Sequence, residues 1–152
     1  MCIGALIIKE IFAFSDDEVV ENLIIKNNTE IFLFGSKSEF NSLCHSVVTE
    51  LKKKYSQISR VYVRAEYPYI DEDYKSYLLK GYEDTYFPKK AINSGKAVYI
   101  ERNFEMIDRS DICVVYYKED YIPKSTKNPD TKSGTKIAYE YAKKRCKEII
   151  VL

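Results

Sequence analysis

The chain has 152 residues, 45% of them hydrophobic. That suffices for one packed domain burying roughly 68–70% of its unfolded surface. Lys plus Arg number 24 against 23 for Asp plus Glu, a net charge of +1, which gives no general drive toward nucleic acid or an acidic membrane surface.

The opening MCIGALIIKEIFAF is a poor signal peptide, because its apolar run is short and lacks a basic start. No segment approaches the ~20 apolar residues that a membrane span needs. Residues 4–8 fit a short strand or the start of a helix. SDDEVVENLIIKNN carries a capping box, Ser15 with Glu18, and acids in its first turn, which predict a helix from 16 to about 27. TEIFLFG reads as a strand ended by Gly35. In SKSEFNSLCHSVVTELKKKY, Phe40, Leu43, Cys44, Val47, Val48 and Leu51 recur at helical spacing and predict one buried stripe. RVYVRAE is a second clear strand. YPYIDEDYKSYLLKGYEDTYFPKK is tyrosine-rich, bracketed by Pro68 and Pro88, with room for one short helix. AVYIERNFEMID is helical, DICVVYY is a continuously apolar strand, and KEDYIPKSTKNPD reads as a mobile lysine-rich loop. A helix over about 135–146 and the strand EIIVL close the chain.

Strands alternating with helices, several apolar on both sides of the pleat, predict an α/β fold. The expected form is a single Rossmann-like three-layer sandwich over residues 1–152, with a mostly parallel sheet of four or five strands. Ligands gather outside the carboxyl ends of such strands. Those ends are Gly35-Ser36, Arg64-Ala65-Glu66, Tyr117-Lys118 and the loop running into Gly134.

The four cysteines (Cys2, Cys44, Cys113, Cys146) are spread out with no Cys-x-x-Cys, which argues against a zinc ribbon and for reduced thiols in a cytoplasmic protein. Cys44 and Cys113 read as small buried hydrophobes. His45 is the one histidine, so multi-histidine metal sites are excluded. Neighbours on a helix point about 100° apart, so Cys44 and His45 are no catalytic pair, and His45 is expected on an exposed helix surface. No metal, cofactor or catalytic residue is expected. Among the 14 tyrosines, whose rings are apolar and tips polar, some could line a cleft.

Three features could carry binding. Ser133-Gly134-Thr135 opens the last helix, where free N–H groups and the macrodipole favour an anion, although such a serine is also simply a good cap. Gly35-Ser36, with Ser38 before the next helix, forms a second possible anion seat. On the helix AVYIERNFEMID, Tyr99, Arg102, Asn103 and Met106 share one face, and Ala97, Ile100, Phe104 and Ile107 lie along another that fits the core.

The run ERNFEMIDRSDICVVYY followed by SGTKIAYEYA resembles the pattern Arg-Lys-x-x-Met, an apolar strand, then Gly-Gly-x-Gly-Thr-x-x-Glu of the LOG-type nucleotide phosphoribohydrolases. FGSKSEFNSL, the Tyr-Pro stretch and DTYFP look more like the YpsA-like branch of the SLOG (Smf/DprA–LOG) superfamily. The resemblance covers roughly residues 30–152, and residues 1–28 look diverged or shortened, since Gly4 is followed by Ala5 and Leu6 where related chains have Gly-His-Arg. It implies a Rossmann-like sheet that binds a nucleotide or its derivative, with Gly134 and Thr135 at the phosphate and Arg102 and Met106 as motif residues. Asn103 replaces the motif lysine, and Ala138 stands where the hydrolase glutamate should be. Glu140 follows two residues later, off the predicted buried stripe of Ile137, Ala138, Tyr141 and Ala142. Cleavage of an N-glycosidic bond needs a placed carboxylate. The resemblance therefore implies binding, by sensing or sequestration, of a nucleotide derivative such as an ADP-ribose-like signal. Sequestration is the form expected of a small phage counter-defence sponge. The alternative is a nucleoside-monophosphate phosphoribohydrolase using Glu140 or Glu101. Arg64 and Glu66 are expected at the ribose or base. The expected partner is that small molecule, with no nucleic acid or membrane. Homo-oligomers are common in such folds, though no stripe here demands one.

Overall fold

The computed structural model describes residues 2–7, 16–35, 38–89, 95, 97–117, 132–145 and 147–152, with side chains from 17 onward. Six strands make one parallel sheet: β1 (Cys2–Ile7), β2 (Thr29–Phe34), β3 (Ser59–Val63), β4 (Asp84–Tyr86), β5 (Ile112–Val115) and β6 (Glu148–Val151), in the order β4-β3-β2-β1-β5-β6. The α/β class and the parallel sheet are as predicted, with one strand beyond the four or five expected. The extra strand is β4, whose three residues are too few to show a period of two. The ambiguous start of the chain is the central strand: Gly4 pairs with Phe32 of β2 on one side and Ile112 of β5 on the other.

Helices α1 (Asp16–Asn27), α2 (Glu39–Lys54), α3 (Glu72–Leu78), α4 (Ala97–Arg109) and α5 (Gly134–Lys144) fill the connections. Their starts follow local chemistry. The Ser38 hydroxyl accepts from the Asn41 amide at 3.3 Å, Asp71 from Tyr74 at 2.7 Å and Ser133 from Lys136 at 3.1 Å. Asn28, at φ 52°, turns the chain out of α1 into β2, a left-handed position that asparagine tolerates.

The chain winds outward from β1 to β4, then returns to lay β5 on the other side of β1. Right-handed crossovers in opposite directions put helices on opposite faces. Two cores result. Phe32 and Phe34 of β2 and Ile112 and Val114 of β5 meet Val20, Leu23 and Ile24 of α1 and Cys44, Val47 and Val48 of α2. Leu33, Cys113 and Val115 point the other way and meet Met106 and Ile107 of α4 and Ala138 and Ala142 of α5. Burial on both faces explains the unbroken apolar runs of β2 and β5. Cys44 and Cys113 are free buried thiols, and burial pushes the Cys113 thiol up to about 11.

Two sequence expectations fail here. Leu43 is 47% exposed rather than part of the α2 stripe, because that stripe closes over Phe40, Cys44, Val47 and Val48 without it. His45 is half-buried instead of lying on an exposed surface. Its Nε2 lies 2.7 Å from the Gly81 carbonyl, and its ring packs on Tyr82 and Phe34. The lysine-rich stretch 118–131 lies outside the described residues. Among the described residues no helix is long and apolar enough to cross a membrane.

Phe34 is fully buried on a strand flanked on both sides, so Phe34→Ala should cost about 3–5 kcal/mol. Urea unfolding would show this as a lower midpoint with an unchanged slope.

Candidate functional site

Strand β2 ends at Gly35, and the missing side chain there shapes what lies above it. A Cβ on Gly35 would meet Met106 Sδ at 2.7 Å, Arg102 Nε at 2.8 Å and Arg102 Cζ at 2.9 Å. The guanidinium of Arg102 therefore lies directly against strand backbone, in space that only glycine leaves open. Arg102 is 2% exposed. Its Nε donates to Asn103 Oδ1 at 3.1 Å, and its guanidinium carbon sits 5.7 Å from the centre of the Tyr99 ring. Burial pushes its pKa down from 12.5 to about 10, leaving the group charged at neutral pH. Among the described residues no carboxylate makes an ion pair with it.

A cleft of about 640 Å³ opens over Gly35 and the end of β3. Arg64, just past β3, supplies a second guanidinium to its wall. Arg64 Nη1 donates to the carbonyls of Tyr67 at 2.6 Å and Pro68 at 3.3 Å, while its buried Nε has no acceptor. These bonds fold the chain back over the strand end, and Tyr67 takes φ 58°, rare for a bulky residue. Tyr67 meets Tyr74 edge-on at 6.3 Å, and Tyr74 stacks on Tyr77 at 6.2 Å. Across the cleft, the Tyr99 hydroxyl donates to Glu66, and that bond raises the Tyr99 pKa. The arrangement offers two cations, several phenol rings and two carboxylates, Glu66 and Asp71, to one ligand. Among the described residues no cluster of His, Cys, Asp and Glu could hold a metal ion.

Of the residues picked from sequence, Gly35, Arg64, Glu66, Tyr99 and Arg102 line this cleft. Asn103 and Met106 are buried behind it, one bonded to Arg102 and the other beneath Gly35. Ser36 lies outside the described residues. Ser133, Gly134 and Thr135 start α5 and are not among the cleft walls. There Ser133 caps the helix, Thr135 is buried, and Gly134 is exposed with open space beside it. The reading of α4 needs correction on one point. The face with Arg102, Asn103 and Met106 is buried against the sheet, whereas Ile100 and Phe104 of the other face are half-buried, with Phe104 stacked on Tyr141 of α5 at 3.9 Å. Helix α4 is covered on two sides, so its apolar residues divide between the sheet and α5.

The sequence reading missed Tyr62, Tyr67, Tyr69, Ile70, Asp71 and Tyr74 as cleft walls. Their signal was the density of tyrosines around Pro68, but a half-buried surface loop would show the same density.

No family model and no curated protein sequence matches the chain. Among solved structures it is similar to DNA processing protein A (DprA) from Streptococcus pneumoniae, with a TM-score of 0.59 and 14% identity. The match covers 99% of this chain and 50% of that one, so this chain spans about half its length. At that identity the likeness shows a shared fold.

Placing a methyl on Gly35 should move Arg102 and Met106 more than it disturbs the fold, since both clashes involve flexible side chains. Gly35→Ala is expected to cost on the order of 1–3 kcal/mol in stability. Thermal melting of the variant beside wild type would show this as a lower transition temperature.

Proposed function

We propose that the chain binds a nucleotide derivative, such as an ADP-ribose-like signal molecule, in the cleft over β2 and β3. The observation that carries this reading is Arg102, a buried guanidinium at a cleft wall with no described carboxylate to neutralise it. Its depressed pKa corresponds to a penalty on the order of 3 kcal/mol for holding the charge there. The contact with Tyr99 and the bond to Asn103 soften that penalty without cancelling the charge. A phosphate would cancel it, and Arg64 in the same cleft would share the load. The volume suits such a ligand, falling inside the roughly 300–1,000 Å³ of small-molecule sites.

Binding without turnover is favoured over hydrolysis by where the acids lie. Glu140 is exposed on α5 and paired with Lys132 at 2.7 Å, a bond that lowers its pKa and keeps it ionised, unlike a general acid. Neither Glu140 nor Glu101 is among the cleft walls, and Ala138 is buried. Glu66 and Asp71 do line the cleft, but one accepts from Tyr99 and the other caps α3. Sensing and sequestration need the same grip, and sequestration adds only slow release. Of the residues the sequence resemblance singles out, Arg102 lines this cleft and Met106 lies behind it, whereas Gly134 and Thr135 are outside it.

Arg102→Met keeps an apolar filler and removes the cation. Its melting temperature should hold or rise, because an unpaired buried charge is gone. Its affinity for ADP-ribose by calorimetry should fall about 10–100-fold. Equal affinity in variant and wild type would take Arg102 out of the site. Free base released from AMP by wild type, and lost in Glu140→Gln, would favour the hydrolase instead.

A further inference from the structure

Arginine presents a planar fork of five donors, and the fork of Arg102 is only partly engaged. Its Nε and Cζ lie against Gly35, and Nε donates to Asn103 Oδ1 at 3.1 Å. Among the described residues Nη1 and Nη2 have no hydrogen-bond partner, and Arg102 is a wall of the cleft. Asn103 is 5% exposed and is not among the cleft walls, so it meets the arginine from behind. An amide and a carboxylate have nearly the same shape. Aspartate at position 103 would therefore place a full negative charge where the amide oxygen now stands. The buried pair would then be complete, and a guanidinium already neutralised has little attraction left for an anion. Glu66 does not supply that charge. It accepts from Tyr99, and among the described residues no carboxylate makes an ion pair with Arg102.

Resting on the anion-binding reading above, we propose that Asn103 is the positioning residue that makes this cleft select anions. It acts in two ways. Its oxygen takes Nε, which closes the side-on edge of the fork (Nε with one Nη) and leaves the end-on Nη1–Nη2 edge for a ligand. Its neutrality leaves the positive charge for that ligand to cancel. A phosphoryl group can offer two oxygens to the end-on edge and bond it in the bidentate manner. Asn103 touches no bound atom in this scheme and works through Arg102 alone.

Thermal melting and calorimetry with ADP-ribose test this on wild type, Asn103→Asp, Arg102→Met and the double variant. The melting temperature of Asn103→Asp should rise by about 5 °C or more, because an uncompensated buried charge gains a partner. Its affinity for ADP-ribose should fall at least tenfold. In the Arg102→Met background the same substitution should lower the melting temperature, since the new carboxylate is then the unpaired group. A substitution that only disturbs packing would lower stability in both backgrounds. An Asn103→Asp protein that binds ADP-ribose like wild type, or melts no higher than wild type, would overturn the role of Asn103 and leave the anion seat standing. A wild type that does not bind ADP-ribose would overturn the anion seat, and the role of Asn103 with it.

Discussion

The contact on which the site depends is between a side chain and the place where another is missing. Arg102 reaches the end of β2 because Gly35 has no Cβ, and the 2.7–2.9 Å clearances leave no room for one. A guanidinium laid on backbone in this way is 2% exposed, so its charge sits at the cleft wall with little hydration. Asn103 accepts from the Nε end, and the centre of the Tyr99 ring lies 5.7 Å from the guanidinium carbon. The remaining donors of that planar fork are matched to the oxygens of a phosphate. The charge is preorganised, at a cost to the empty protein that a ligand would offset.

That constraint also accounts for the odd face of α4. A surface helix usually turns its polar side outward. Here Arg102 and Asn103 are buried with Met106 and Ile107, while Tyr99 is exposed at the lip. The grouping of Tyr99, Arg102, Asn103 and Met106 was legible from three- and four-residue spacing. Which way it faced was not, because Ala97, Ile100, Phe104 and Ile107 form an equally good apolar stripe. The stripe is satisfied partly by α5, through Phe104 on Tyr141, and no single-sequence pattern announces a second helix as partner.

Elsewhere the sequence was clearest where local chemistry decides. The Ser15 and Glu18 pattern predicted a start at 16, where α1 begins, and Ser38 and Ser133 stand directly before α2 and α5. Apolar runs in β2 and β5 signalled a sheet covered on both faces. It was opaque where a tertiary neighbour decides. His45 is drawn inward by the Gly81 carbonyl, 36 residues away, and β4 exists because β3 offers it an edge. The fold shared with DprA at 14% identity fixes where strand ends lie, and the side chains at those ends decide what can bind. On that basis the mouth of α5 and the cleft are separate features. Ser133 already satisfies one free amide at the helix start, while Arg102 has no described acid to satisfy it.

Arg64 and the loop after β3 are mechanically one piece. Arg64 grows from the end of β3 and holds the carbonyls of Tyr67 and Pro68, so the loop bearing Tyr67 and Tyr69 is tied to the sheet. Tyr67 keeps a left-handed backbone, which costs on the order of 1–3 kcal/mol and persists only where surroundings enforce it. Relaxing it would release both carbonyls from Arg64 and carry the rings away from the strand ends. Asp71 fastens the other end of the loop by capping α3. Strain at Tyr67 thus has a structural return: it keeps the loop folded back over the end of β3, where Arg64 holds it.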